Sequence, residues 1–369
     1  MKRKSMLAIM MVLLLSVLLV FAGCSGGGDE GENGDGDAVE ENGNGDSGEE
    51  VELEDSISIG THAVGTSYYA MGTGVASIVS DQTPISASVM PYSGPDAWLP
   101  DFQDGRISLG LLSGIDLAWA YAGEVTYDNA YDKARLILQG NLSEHATITV
   151  REDAGIDSIA DLEGRPIGEG YGGNQLTQEL QNAALAGSGL TMDDVEGVPV
   201  ADLGGALRAL QENRIDATFS GSSTTPSAVE LDQSIGIKVL PFADLKPEDI
   251  ADGVPQEYQD ILNEHVPGAV LATASAKGTL KEDTVLINFP IMMIGSSDLS
   301  ADAVYEILKS VWENHEQLAD VHTWGSQWIP DTMPTENMPA PYHEGAVRFY
   351  EEQGVWTDAM QERQDELLN

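Results

Sequence analysis

Four short stretches concentrate hydroxyls, amides, glycines and aromatic rings in patterns suited to holding a small molecule. The first, GTHAVGTSYYAM (Gly60–Met71), follows the strand-like run Ile57-Ser58-Ile59 and offers Thr61, His62, Ser67 and Tyr68. Gly60 and Gly65 permit a tight turn, and Ser67 is the expected N-cap of a helix beginning at Tyr68. Free N–H groups of that first turn would favour an anion by roughly 0.3–1 kcal/mol, or up to ~2 when partly buried. A small carboxylate fits this better than a phosphate, because the stretch has no lysine for a Walker pattern and its glycine spacing fails the dinucleotide fingerprint. An ordinary capped helix with its tyrosines in the core is the plainer alternative. In LLSGIDLAWAYAG, Ser113 and Asp116 are spaced like a capping box, and Trp119 follows one turn later. GEGYGGNQLTQEL brings Gly173, Asn174 and Gln175 to another helix start, and FSGSSTTPSAVEL sets Ser222 and Thr225 before Pro226. Four polar turns at four strand ends imply a pocket of backbone N–H, hydroxyl, amide and aromatic groups.

Catalytic constellations are missing from the same inventory. Cys24 is the only cysteine, which removes internal disulfides and thiolate clusters. None of the six histidines stands in a His-Glu-x-x-His pattern, and no serine sits in a Gly-x-Ser-x-Gly elbow. The expectation is a non-enzyme with no metal and no cofactor. His343 reads as a structural hydrogen-bonding residue, whereas His62 lies beside the first turn and could reach a ligand. Trp98, Trp119, Trp324 and Trp328 read first as core; Trp119, which follows the third polar turn, has facing the crevice as its alternative.

These turns need elements to position them. Candidate strands are Ser56–Gly60, Ile85–Val89, Ile107–Leu112, Arg135–Gln139, Ala146–Arg151, Pro166–Gly168, Gly197–Val200, Ala217–Ser220, Ile237–Pro241, Val270–Ala274 and Thr284–Gly295. Helical patterns between them include Ser67–Ser80, Asp96–Asp104, Asp116–Ala122, Asn174–Ala186, Ala201–Glu212, Ser227–Gln233, Pro247–Glu264 and Ala301–Asp320. The alternation predicts an α/β protein with largely parallel sheets. Two blocks resemble each other, each with a strand, a glycine-rich turn, a helix, a strand, and a helix ending near DGRISLG or ENRIDAT. Such duplication predicts two similar lobes with a ligand in the crevice at the strand ends.

The N-terminal region reads differently. Lys2-Arg3-Lys4 precedes an apolar run from Met6 to Phe21, the form of an export signal and shorter than the ~20 residues of a stable membrane span. Cys24 follows Ala22-Gly23 in a setting like a bacterial lipobox, with Phe21 where leucine is commonest; an unmodified cysteine is the alternative. Several acyl chains at ~0.8 kcal/mol per buried methylene would anchor it firmly. Ser25–Asp55 is almost devoid of apolar side chains and reads as a self-repelling tether, and its acidic residues lack EF-hand spacing. With 61 acidic and 17 basic residues the formal net charge is -44, which excludes nucleic acid as a partner. Scarce lysine and acidity spread along the chain suit a surface soluble in concentrated salt, with a simple solvated acidic surface as the alternative.

From SIGTHAVGTSYYAMG through ITVREDAGIDSIADLEGRPIGEGYGGNQ, GLTMDDVEGVPV, LGGALRALQENRIDATFSG and MPAPYHEGAVRFYEEQGVW, the chain resembles the TAXI family of solute receptors for TRAP-type transporters, over essentially Ser56–Trp356. Its glycine-glycine-threonine-tyrosine-tyrosine pattern falls on Gly65–Tyr69, with Thr66 for a glycine and Ser67 for the threonine. Its second-lobe serine-glycine-threonine-glutamate falls on Gly172, Gly173, Asn174 and Gln175, and its glutamine-serine falls near Ser113-Gly114, so amides replace expected hydroxyls and a carboxylate. The resemblance implies a two-lobed periplasmic-binding-protein fold, type II-like, with two mixed, mostly parallel sheets and a ligand cleft between lobes. It implies capture of a small polar solute, commonly a carboxylate such as an amino acid or a dicarboxylate, for delivery to a membrane permease. The expected layout is a signal peptide at 1–23, a lipidated cysteine and acidic tether at 24–55, one lobe from 56–145 with 275–369, and the other from 146–274, all held outside the cell membrane. A surface lipoprotein signalling occupancy to a membrane kinase, and the receptor of an ATP-driven importer, are the competing readings.

Overall fold

A computed structural model of the protein describes residues 53–369. The expected signal, Cys24 and all of the tether before Leu53 lie outside the described residues. The chain order opens with β1 (Ser56–Thr61), α1 (Ser67–Gln82), β2 (Ser86–Pro91), α2 (Pro95–Gln103), β3 (Leu109–Ser113), α3 (Gly114–Ala122) and β4 (Ala134–His145). It continues with β5 (Ile148–Arg151), β6 (Pro166–Glu169), α4 (Gln175–Gly187), β7 (Glu196–Pro199), α5 (Leu203–Gln211), β8 (Ala217–Thr218), α6 (Pro226–Ile235) and β9 (Ile237–Leu240). It closes with α7 (Gln256–His265), β10 (Val270–Ala274), β11 (Thr284–Ser296), α8 (Ala301–Asn314), α9 (Leu318–Val321), α10 (Glu344–Glu352) and α11 (Asp358–Leu368).

Two sheets build two lobes. The first has the order β10-β11-β3-β1-β2, with β4 also paired to β11; the second has the order β7-β6-β8-β5-β9. The orders correspond: β2-β1-β3 and β7-β6-β8 are parallel, each third strand is followed by an antiparallel neighbour, β11 or β5, and that neighbour pairs antiparallel with a last strand. The two blocks seen in the sequence are therefore two copies of one topology. Parallel pairing is less extensive than the alternation of elements suggested, because β11 and β5 are inserted against the direction of their neighbours. Among the described residues no helix is long and apolar enough to cross a membrane.

The first lobe's core explains the glycines of β1 and β3. Trp98 of α2 is fully buried on the sheet, and a Cβ at Gly60 would lie 2.9 Å from its ring while one at Gly110 would overlap it. Met71, Val75, Ile78 and Val79 form the buried stripe of α1 at helical spacing, and Gly72 lets that helix approach the methyl group of Thr61. The stripe fixes which face of α1 packs on the sheet.

Several expectations change. Val270–Ala274, expected in the second lobe, pairs residue for residue with β11 of the first sheet. The strands expected at 135–139 and 146–151 become a twelve-residue β4 that runs on to His145 before β5 begins, since it pairs with the long β11 almost to its end. The helix expected over 247–264 breaks: a single turn at Pro247–Ile250 is separated by Gly253 from α7. The fold also starts inside the expected tether, because the Glu54 carboxylate accepts the N–H (2.8 Å) and hydroxyl (3.0 Å) of Ser300, the N-cap of α8. His343 is structural, its Nδ1 accepting the Gly345 N–H as N-cap of α10.

Candidate functional site

The strand-to-helix turns of both lobes converge on one cavity. It is lined from the first lobe by His62, Thr66, Ser67, Tyr68, Ser93, Asp116, His145, Phe289 and Trp324, and from the second by Tyr171, Asn174, Leu176, Leu180, Phe219, Ser222 and Thr225. Its atom-free space is about 620 Å³ with the open mouth included. The walls are mostly rings and aliphatic groups, with polar atoms at a few points.

In the first turn the capping residue is Thr66 rather than Ser67: the Thr66 hydroxyl accepts the Tyr69 N–H at 3.2 Å. A one-residue shift of the helix start frees the Ser67 hydroxyl for other partners. It lies 3.2 Å from the Ser222 hydroxyl and 3.2 Å from that of Thr225, which are 3.3 Å from each other, a triad spanning both lobes. Beside it the Ser227 N–H donates to the Gly65 carbonyl at 3.1 Å, and Gly65 has φ +90°, a left-handed conformation that favours glycine.

A second seam crosses the cleft on α4. Asn174 precedes this helix but its side chain makes no cap; the Gln175 N–H donates instead to Asp96 Oδ2 of α2, at 2.7 Å. An aspartate of one lobe thus caps and neutralises the positive end of a helix in the other. Gly94 makes the approach possible, because a Cβ there would overlap the Gly173 carbonyl and lie against Asn174. The segment after β8 is gripped as well: Ser223 donates to Glu144 at 2.7 Å, and His322 donates from Nε2 to the Thr224 carbonyl at 3.1 Å.

The inner wall carries polar groups with unmet bonding capacity. His62 stacks on Tyr68 with centroids 4.0 Å apart, and His145 stacks on Phe289 at 3.9 Å. Burial pushes the pKa of both down to about 3, so both are neutral at pH 7. His62 Nδ1, His145 Nε2 and Trp324 Nε1 are buried without hydrogen-bond partners. Asp116 is 2% exposed; it accepts from Ser113 at 2.8 Å and from the Tyr127 hydroxyl at 3.3 Å. Its pKa is pushed up to about 7, chiefly by burial and then by the charge of Asp96.

Of the residues singled out from the sequence, His62, Ser67, Tyr68, Asn174, Ser222 and Thr225 reach the cavity. Thr61, Ser113, Trp119, Gly173 and Gln175 do not line it. Thr61 turns into the lobe against Gly72, and Trp119 is a core residue. Ser113 is fully buried and orients Asp116 instead, with the Asp116 N–H donating back to its hydroxyl at 2.8 Å. Gly173 packs on Ser93 and Ala97, while the Gln175 side chain is exposed and only its N–H serves the cleft. Asp116, His145, Tyr171, Phe219, Phe289 and Trp324 were not picked out as site residues. Asp116 had a signal in its spacing from Ser113, and Tyr171 and Phe219 stand inside the second-lobe turns; His145, Phe289 and Trp324 come from separate parts of the chain and share no local pattern.

Two lobes of matching topology, joined around a cavity at their strand ends, define a periplasmic-binding-protein fold. The NMT1-like family model matches residues 59–354, and the chain belongs to that family. Among solved structures it is similar to the periplasmic aliphatic sulphonate binding protein SsuA of Escherichia coli, with 15% identity, 84% of this chain and 92% of that chain covered, and a TM-score of 0.42. It is similar too to the alkanesulfonate-binding protein SsuA of Xanthomonas axonopodis pv. citri, bound to MOPS, with 13% identity, coverage of 84% and 96%, and a TM-score of 0.45. A third likeness is to a TctC solute binding protein of Polaromonas, with 14% identity, coverage of 72% and 86%, and a TM-score of 0.42.

Proposed function

We propose that the protein is an extracytoplasmic solute receptor, tethered through Cys24, that closes its two lobes on a small polar solute and hands it to a TRAP-type membrane permease. The observation that carries this reading is the cavity between the lobes: seams of hydrogen bonds cross it at Ser67–Ser222–Thr225 and at Asp96–Gln175, and buried ring nitrogens within it lack partners. Unpaired buried polar groups are costly, and a ligand supplying their partners removes that cost. A carboxylate-bearing solute, such as an amino acid, has a seat where Thr66, Ser67 and Tyr68 bring the first turn of α1 to the cavity wall. Among the described residues that line this cavity, no serine or threonine hydroxyl is bonded to a histidine or a carboxylate.

A thermal-shift screen over amino acids, carboxylates, amides and sulfonates tests the reading. A true solute at 100 times its dissociation constant stabilises the folded state by about 2.7 kcal/mol. The expected result is one chemical class that raises Tm in the wild type and loses the effect in Ser222→Val. A screen in which no class raises Tm would reject capture of a free solute. For the anchor, metabolic labelling with a fatty-acid analogue should mark the wild type and leave Cys24→Ser unlabelled.

A further inference from the structure

The charge of the cavity wall narrows the class of solute, an inference that rests on the receptor reading. Among the described residues that line it there is no lysine and no arginine, and the side chain that ionises there is the carboxyl of Asp116. The charge acting on Asp116 comes from a second carboxylate, Asp96, and among the described residues no cation acts on either. Asp96 Oδ1 is itself a buried acceptor without a donor. A buried carboxylate with no countercharge is expensive, and the wall answers by pushing the Asp116 pKa up to about 7. The neutral hydroxyls of Ser113 and Tyr127 orient it without discharging it.

Around that acid the walls are apolar. Tyr68 meets Trp324 edge to face at 5.3 Å, and the rings of Phe289 and Phe219 lie nearly parallel to His145, with centroids 3.9 Å and 6.3 Å away. Independently of the acid, the ring nitrogens of His62, His145 and Trp324 are buried and unpartnered in the same cavity. At neutral pH the indole can only donate, and each neutral imidazole has a donor or an acceptor to offer. None of these groups brings a positive charge for a second carboxylate.

We propose that the captured solute carries a protonated amine, seated on Asp116, on a compact apolar body held among Tyr68, Phe219, Phe289 and Trp324. An ammonium there supplies the missing countercharge and donates up to three hydrogen bonds. Dicarboxylates without an amine are excluded, because they would set a second anion beside Asp116 with no basic group to offset it. Monocarboxylates lacking the amine leave the acid unsatisfied. Zwitterions remain admissible, with the carboxylate at the first turn of α1.

Three probes on one skeleton separate these cases: valine, its des-amino analogue 3-methylbutanoate, and its descarboxy analogue 2-methylpropan-1-amine, each at about 10 mM to allow for weak binding. The expected result is a Tm rise with valine and with the amine, none with 3-methylbutanoate, and at least about tenfold weaker amine binding by calorimetry in Asp116→Asn. Because the three wild-type measurements need no variant, a poorly folding Asp116→Asn leaves the comparison intact. A Tm rise with 3-methylbutanoate equal to that with the amine would overturn the amine seat and leave the receptor reading standing. No rise with any of the three would also overturn the amine seat as argued, and the receptor reading would then be judged by the wider screen. A Tm rise with the amine that Asp116→Asn fully retains would move the seat away from Asp116 and overturn the assignment.

Discussion

The helix starts of α1 and α4 occupy equivalent places in the two lobes and are finished in different ways. α1 is completed within its own lobe, since Thr66 caps it and the neighbouring Ser67 is free to meet Ser222 and Thr225. α4 is left open by Asn174 and is completed from the other lobe, by Asp96. The first turn therefore takes its cap from its own lobe, whereas the second takes its cap from across the cleft. If the lobes close on a solute as proposed, closure supplies the cap of α4, and that one hydrogen bond links shape to occupancy.

Blocking the second seam should have the largest effect. Gly94→Val places a branched side chain against the Gly173 carbonyl and Asn174. Overpacking of this kind costs about 1–3 kcal/mol and falls on the closed state, so solute affinity should drop by about 10- to 100-fold while the unliganded Tm changes little. Titration calorimetry with the solute found by screening checks this, and unchanged affinity would mean that the seam is not part of closure.

Acid should weaken the fold through the cavity histidines. With folded pKa values of about 3, against about 6.5 when unfolded, His62 and His145 take up protons on unfolding as pH falls below about 6.5. Their contribution declines from there toward pH 3. Asp116, Asp96 and Asp244 act in the opposite sense, because burial raises their folded pKa values, but His322 and His343, lowered by burial, join the two cavity histidines and make four groups against three. Unliganded Tm should thus fall between pH 6.5 and 4, with a shallower slope in His145→Phe. An equal slope in that variant would remove His145 from the account.

The two hydroxyls of the first turn sharpen the comparison further. Thr66→Ala should cost about 1 kcal/mol of stability with or without solute, as loss of an N-cap does. Ser67→Ala should cost a similar amount chiefly in affinity, because its partners lie across the cleft. Denaturant unfolding beside calorimetry separates them, and identical profiles would deny the division of labour. The smallest effect expected is from salt: weak screening of the acidic surface should raise Tm gradually from low to high ionic strength, and a flat or falling Tm would reject that view of the surface.

The sequence made the polar turns legible because glycines and hydroxyls between a strand run and a helix run carry a local signal. His62, Ser67, Tyr68, Asn174, Ser222 and Thr225 all stand in such turns and all reach the cavity. The cap position was missed by one residue, since Thr66 and Ser67 both have capping side chains and only backbone geometry separates them. Thr61 was misplaced because it ends a strand whose alternation turns it inward, onto Gly72. His145, Phe289 and Trp324 were not legible: they meet through the pairing of β4 with β11 and the return of the chain after α9, contacts distant in sequence with no local trace. Asp96 was equally hidden, for its role exists only between lobes.

Hydrogen exchange at the Gln175 amide reports whether the lobes close on a solute. That N–H is bonded only across the cleft, to Asp96, at the start of a helix that otherwise lacks a side-chain cap. A saturating solute should slow exchange at Gln175 and in residues 222–227 together, and Asp96→Ala should abolish the slowing at Gln175 while the solute still binds. Exchange at Gln175 unchanged by a solute that demonstrably binds would contradict closure across this cleft.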